Sequence, residues 1–214
     1  MTSLLEIRTK LLDGIRAERS SLVLADIGCG QSPEDGFTGY DYHSTTPGVI
    51  HADLYNAPWP FADNSVDYFR ASHFLEHVPD WDYHFSEVYR SLRMGGYYEI
   101  ISPYYLNNRW WQDPDHKQPI LHERFSYLSH EWRKAVKMDH YGAVVNFEVV
   151  QWFELLNEDF REQGYSTEAI YWHKRHSFNI IDDLALILKK LPIAAESEAE
   201  SESECDMDLE VANG

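Results

Sequence analysis

Hydrophobic positions along this chain recur with two periods, and each change of period marks an element. Between Met1 and Arg19, Leu4, Ile7, Leu11 and Ile15 fall at helical spacing with charges between them, which predicts a packed amphipathic helix and not a signal peptide. Ser20 to Gly30 reads Ser-Ser-Leu-Val-Leu-Ala-Asp-Ile-Gly-Cys-Gly. This is an apolar β-type run ending in an acid and two glycines, as a buried parallel strand does when it hands the chain to a ligand-binding turn. Phe37 to Asp41 and Val49 to Ala52 are further short strands, the second running into Asp53, and Val66 to Ser72 is a fourth. A helix follows with Asp80 as N-cap; Trp81, Phe85, Val88 and Leu92 share a face, and Gly95-Gly96 stops it. Tyr97 to Ser102 is the fifth strand, and the series predicts an α/β fold whose mostly parallel sheet is covered on both faces.

The second half is less regular. Tyr104 to Lys137 follows the carboxyl end of a central strand, where open α/β sheets place ligands, and it reads as an acceptor lid with a helix starting near Ser126 or Ser129. Ala143 to Leu155 is the expected sixth strand and Leu184 to Leu188, running into Lys189-Lys190, the last; a short helix from Asn157 to Gly164 lies between them. From Ala194 onward Glu, Ser and Ala alternate with almost no large apolar residue, so 194–214 is expected to be a disordered acidic tail beside a folded domain over 1–193.

Composition narrows the function. The chain of 214 residues is 43% hydrophobic and 14% aromatic, sufficient for one domain with a substantial core. No apolar run approaches the ~20 residues of a membrane span. Its two cysteines, Cys29 and Cys205, make neither a disulfide framework nor a metal quartet, which fits a reducing cytoplasm. The net charge is −18, and residues 1–193 still hold 28 acids against 18 bases. A field of that sign repels phosphate backbones, so nucleic acid is not the expected partner despite the local patch His173-Lys174-Arg175-His176. The sequence carries no signal for an oligomeric state.

The turn chemistry selects a cofactor. A dinucleotide site needs Gly-x-Gly-x-x-Gly opening a helix whose N-terminus holds a pyrophosphate. Here the third glycine is replaced by Pro33, and the second acidic strand end, Asp41, arrives thirteen residues after Gly28, too soon for a full crossover helix. A nicotinamide-dependent oxidoreductase is therefore disfavoured. S-adenosylmethionine (SAM) has no phosphates and does not need that helix; its ribose diol suits a carboxylate such as Asp41.

Taken together, Asp-Ile-Gly-Cys-Gly (26–30), Gly-Tyr-Asp (39–41), Ala-Asp-Leu (52–54), Pro-Phe-Ala-Asp-Asn-Ser-Val-Asp (60–67) and His-Phe-Leu-Glu-His-Val (73–78) resemble class I SAM-dependent methyltransferases, with the type 11-like group the nearest. The resemblance spans roughly residues 20–105 and departs from the family in Gln31-Ser32-Pro33 and the shortened first helix. It implies a three-layer Rossmann-like fold with a seven-stranded sheet, SAM as cofactor, and methyl transfer to a small-molecule or glycan-type acceptor. Carried over by position, Asp26, Gly28, Cys29 and Gly30 hold the methionine part. Asp41 and Tyr42 take the ribose, Asp53 and Leu54 the adenine, and Ser72 and His73 line the adenine and methyl ends.

Three motifs remain. His73-Phe74-Leu75-Glu76-His77 matches the His-x-x-Glu-His of inverted zinc peptidases, with Glu148, Glu154 or Glu158 as a distant third ligand, but its place after a sheet strand and glycine turn argues for a cofactor loop, and no metal is expected. In the lid, Asp113-Pro114-Asp115-His116 offers His116 as general base with Asp113 beside it, or else an Asp-Pro turn. Trp110-Trp111 can stack on an acceptor or close a core. A silent SAM-binding or partner-binding protein of the same fold is the alternative, because no base is unambiguous.

Overall fold

The computed structural model describes residues 3–56, 58–138, 140 and 145–193; the acidic tail expected over 194–214 lies outside them. The first element is the helix read from the sequence, α1 (Leu4–Glu18), closed at its start by a capping box between Ser3 and Glu6. Seven strands follow: β1 (Leu24–Ile27), β2 (Thr38–Asp41), β3 (Ile50–His51), β4 (Val66–Ser72), β5 (Leu92–Pro103), β6 (Phe147–Leu156) and β7 (Ile181–Lys190). They form one sheet in the order β3-β2-β1-β4-β5-β7-β6. The pairs from β3 through β5 are parallel, whereas β7 runs antiparallel to β5 and β6.

No helix joins β1 to β2, so the crossover shortened in the sequence is reduced to turns. The thirteen-residue interval noted above leaves room for nothing longer. α2 (Trp81–Ser91) starts at Asp80, whose side chain accepts from the Tyr83 N–H, as expected. It stops earlier than the double glycine suggested. Leu92 is already extended, and Gly95 (φ +75°) and Gly96 lie inside a long β5, beside an irregularity in its register with β4. A Cβ on Gly96 would come 3.0 Å from the Asp67 carbonyl oxygen, so this edge accepts little but glycine. Of the last two strands, β6 starts at Phe147, the expected positions 143 and 144 lying outside the described residues, and β7 starts three residues before Leu184.

The two faces of the sheet are covered by different chemistry. On the α2 face, Phe69, Tyr98, Ile100, Leu184, Leu186 and Leu188 pack with Phe85 and Val88 of α2 and with Ile120 and Phe125 of the lid. Phe125 belongs to a 3-10 segment, His122–Leu128, that precedes α4 (His130–Ala135), whose N-cap is Ser129. On the α1 face, strand register aligns Asp26, Arg70 and Glu99 in one row across β1, β4 and β5. Arg8 of α1 binds Glu99 through Nε (2.8 Å) and Nη2 (2.7 Å) and reaches Glu34 of the β1–β2 turn. Arg70 contacts Asp26 and Glu34, each at 3.2 Å, and the Tyr68 hydroxyl donates to Glu99 (2.8 Å). Buried charges persist only when paired, and here each carboxylate of the row faces a guanidinium.

Candidate functional site

The carboxyl ends of β1, β2 and β4 surround a cavity of about 300 Å³. Gly28 (φ +65°) turns the chain there, its N–H donating to the Tyr40 carbonyl (2.8 Å). A Cβ on Gly28 would lie 2.1 Å from the Phe74 ring, so the glycine makes room for a packed aromatic as well as for a ligand. Gly30 (φ +57°) has open space where its Cβ would be, and its N–H donates to Asp41 Oδ2 (2.9 Å). Asp41 Oδ1 accepts from the His43 N–H (2.7 Å). The carboxylate thus ties the glycine turn to the turn after β2, and each oxygen retains a lone pair for a further donor.

Of the residues the sequence nominated, Gly28, Gly30, Asp41, Tyr42, Leu54 and His73 line this cavity. His73 has φ +55°, a left-handed conformation strained for a residue with a Cβ, and is held by its N–H to the Ile101 carbonyl (2.8 Å). Phe74 stacks on Tyr55 at 5.5 Å, both rings forming part of the wall. Burial, with the charges of Asp115 and Asp41, pushes the Tyr55 phenol up to about 12, so it is a neutral donor.

The other four nominated residues are placed beside the cavity and not on its wall. Asp26 is fully buried in the ionic row beneath the glycine turn, where it accepts from the Glu34 N–H (2.8 Å) and from Arg70. Burial raises its carboxyl above the ordinary value. Cys29 turns toward β2, its Sγ 2.8 Å from where a Cβ on Gly39 would stand. Burial and the carboxylates of Asp26 and Asp41 push its thiol up to about 11, so it stays protonated at neutral pH. Asp53 accepts from the N–H groups of Tyr55 and Asn56 in a tight turn, and the Tyr55 bond foremost lowers its carboxyl. Ser72 ends β4 half-buried. Sequence reading missed His43, Ala52, Tyr55, Phe74, His77 and Asp115, which complete the wall. One signal was available: Ala52 and Leu54 flank Asp53 at the i, i+2 spacing that shares one face of an extended chain.

The lid carries two further cavities of about 430 Å³ each. Asp113 lines one with Arg109, Gln112 and Pro114, following a short helix, α3 (Asn108–Gln112). Its Oδ1 accepts from the Asp115 N–H (2.8 Å), the Asp-Pro turn weighed above. His116 is buried behind that turn, Nδ1 2.7 Å from the Trp110 carbonyl and its ring 4.8 Å from that of His77. The second cavity is aromatic: Tyr104 and Tyr105 after β5, His122 stacked on Trp152 at 4.0 Å, and Tyr171 under Arg175 at 4.6 Å. Lys174 and Glu154 pair on its wall. Tyr171, Lys174 and Arg175 come from α6 (Thr167–His176), which follows α5 (Glu158–Glu162), the short helix expected after Asn157.

The zinc-peptidase geometry is not formed. His73 and His77 are not successive positions of one helix; the motif spans a strand end and a 3-10 turn, Leu75–His77. The described groups that can meet at a metal are Glu76, His77 and His116, without His73, Glu148, Glu154 or Glu158.

A sheet in this order, closed by an antiparallel β7 and carrying a glycine turn after β1, is the class I SAM-dependent methyltransferase fold. Residues 37–100 match the family model described as a methyltransferase domain. A SAM-dependent methyltransferase from Archaeoglobus fulgidus superposes with TM-score 0.52 at 21% identity, covering 88% of this chain and 95% of that one. YcgJ from Bacillus subtilis superposes with TM-score 0.51 at 16% identity, covering 87% and 100%. No curated protein matches the sequence.

Proposed function

We propose that the protein binds SAM in the cavity at the ends of β1, β2 and β4 and transfers its methyl group to a small-molecule or glycan-type acceptor. The observation that carries this reading is that Gly28, Gly30, Asp41, Leu54 and His73, drawn from four separate sequence motifs, line one cavity. In this reading Gly28 and Gly30 admit the methionine end to the backbone, Asp41 accepts from the ribose diol with Tyr42 beside it, and Leu54 bounds the adenine. Asp26 and Cys29 support the turn from beneath; Asp53 and Ser72 set the neighbouring loops. The acceptor sits under the lid of about 104–137, and the ring-lined cavity of Tyr104, Tyr105 and Trp152 suits a flat or sugar-like molecule. The functional domain is 1–193 with 194–214 an acidic appendage, and a cytoplasmic setting accords with the free thiol of Cys29. None of the helices described is long and apolar enough to cross a membrane.

Transfer from a sulfonium is an in-line displacement, so holding acceptor and methyl about 3 to 3.5 Å apart supplies most of the catalysis. His116, the general base expected in the lid, and Asp113 do not line this cavity, whereas His77 and Asp115 stand on its wall. Calorimetric titration with SAM and S-adenosylhomocysteine tests the reading: binding of both is expected, and no heat from either at sub-millimolar concentration sinks it. The burial of His116 away from the cavity also favours a second reading, a SAM-binding protein without turnover. Labelled SAM incubated with acceptor extracts separates the two, since only the enzyme transfers label.

A further inference from the structure

Glu76 is fully buried in the turn after β4. Its Oε2 accepts from Ser102 Oγ (2.8 Å), but Oε1 has no hydrogen-bond partner and faces His73 Nδ1 only at 3.6 Å. Among the described residues neither Lys nor Arg pairs with it, so a buried carboxylate stands without a cation. The next residue, His77, has a buried Nδ1 that is likewise without a hydrogen bond and 3.5 Å from Asp115 Oδ2. His116 comes from the lid. Its Nδ1 meets the Trp110 carbonyl at 2.7 Å, and because a carbonyl only accepts, that nitrogen carries the proton and Nε2 keeps its lone pair. An imidazole fixed through one nitrogen by a carbonyl is how metal-ligating histidines are held.

One ligand atom from each of Glu76, His77 and His116 lies within 4.8 Å of the others. We propose that these three residues bind one borderline divalent cation of the Zn²⁺ class, with Asp115 placed to complete the set. Two imidazoles with carboxylates suit zinc and its transition-metal neighbours, whereas Mg²⁺ and Ca²⁺ take oxygen ligands. Bonds of about 2.0 to 2.1 Å at tetrahedral angles separate ligand atoms by roughly 3.4 Å, so side-chain shifts of about an ångström close the site. The cation neutralises Glu76 and joins two segments. Glu76 and His77 belong to the turn beneath the cofactor cavity, His116 and Asp115 to the lid. The N–H groups of Lys117 and Gln118 already reach the Glu76 carbonyl at 2.7 and 3.3 Å. His77 and Asp115 also line the cofactor cavity, so the metal titrations are run without SAM.

The test uses the full chain, stripped with a chelator and titrated with Zn²⁺ against a chromophoric competitor, then with Co²⁺ followed by its visible absorption. One tight equivalent is expected, with the intense Co²⁺ bands of a four-coordinate site and a Zn²⁺-dependent rise in Tm. Glu76→Gln and His116→Gln, chosen to keep the side chains close to their original size, should each weaken binding by more than about 10-fold and lose the Tm response. His176→Ala, on exposed α6, should bind like the parent. The proposal is overturned if the parent holds no tight equivalent, if both variants bind and respond as the parent does, or if Mg²⁺ matches Zn²⁺.

Discussion

His84 gives the fold a dependence on pH that can be isolated. It projects from α2 into the core, fully buried between Trp59 (5.1 Å), Phe85 (5.2 Å) and Tyr98 (5.7 Å). Its Nε2 lies 2.8 Å from the Tyr98 hydroxyl, and its Nδ1 has no partner. An imidazolium there has only the Tyr98 hydroxyl to replace its hydration, so burial lowers the pKa from 6.5 to about 3. The sign follows: as pH falls below 6.5 the unfolded chain takes up a proton that the folded chain refuses, so stability is lost down to about pH 3. At about 1.4 kcal/mol per pH unit, acidification from about pH 7 to about pH 4.5 costs roughly 2 to 3 kcal/mol through this residue. Other histidines and the carboxylates contribute too, but they are common to a variant and cancel. Urea unfolding of the parent and of His84→Phe/Tyr98→Phe, which removes both polar partners, should be compared at the two pH values. The double variant should lose about 2 to 3 kcal/mol less than the parent. An equal loss in both proteins would falsify the argument that a neutral His84 is required.

Other expectations are as direct. Asp41→Ala should weaken SAM binding by about 1.5 to 3 kcal/mol, the range for hydrogen bonds to a charged group, as read by calorimetry; parent-like affinity means that the ribose is held elsewhere. Gly28→Ala should cost more stability than Gly30→Ala. Both need a left-handed backbone, worth about 1 to 2 kcal/mol for a residue with a Cβ, but only at Gly28 does the added carbon strike a ring. Equal urea midpoints for the two variants contradict the packing of Phe74. Glu99→Gln should destabilise by about 3 to 5 kcal/mol, because Arg8 and Arg70 lose a buried counter-charge, and a loss below about 1 kcal/mol by the same assay shows that the row is dispensable.

The amphipathic α1, the apolar parallel strands and the capped start of α2 could be read from the sequence because burial imposes a period on it. β4 begins and ends where its pattern does, at Val66 and Ser72. α6 could not be read: none of its residues is buried, so Thr167 to His176 shows no apolar stripe, only Ser166 as a cap. The early end of α2 escaped because a double glycine signals a stop equally well in a helix and at an irregular strand edge. In the site, glycine spacing and acidic strand ends located the cavity, but the spacing does not show where the strand gives way to the turn. Asp26 lies within β1 and joins the ionic row, whereas the positive φ of Gly28 and Gly30 carries the chain out of the strand and onto the wall. His77 and Asp115 were hidden for another reason, since thirty-seven intervening residues give no hint that the lid returns to the turn.

Arg8 lies at the other surface of the sheet from the hydrophobic core, yet it grips Glu34 in the turn that shapes the cavity. α1 therefore acts as a remote tensioner on that turn. Whatever draws the helix away, whether a fused segment, a truncation or a binding partner, leaves Asp26, Glu34 and Glu99 confronting Arg70 alone. Three carboxylates then share a single guanidinium and repel one another. The damage then surfaces far from its origin, as a slackened glycine turn and a weakened hold on whatever the cavity binds.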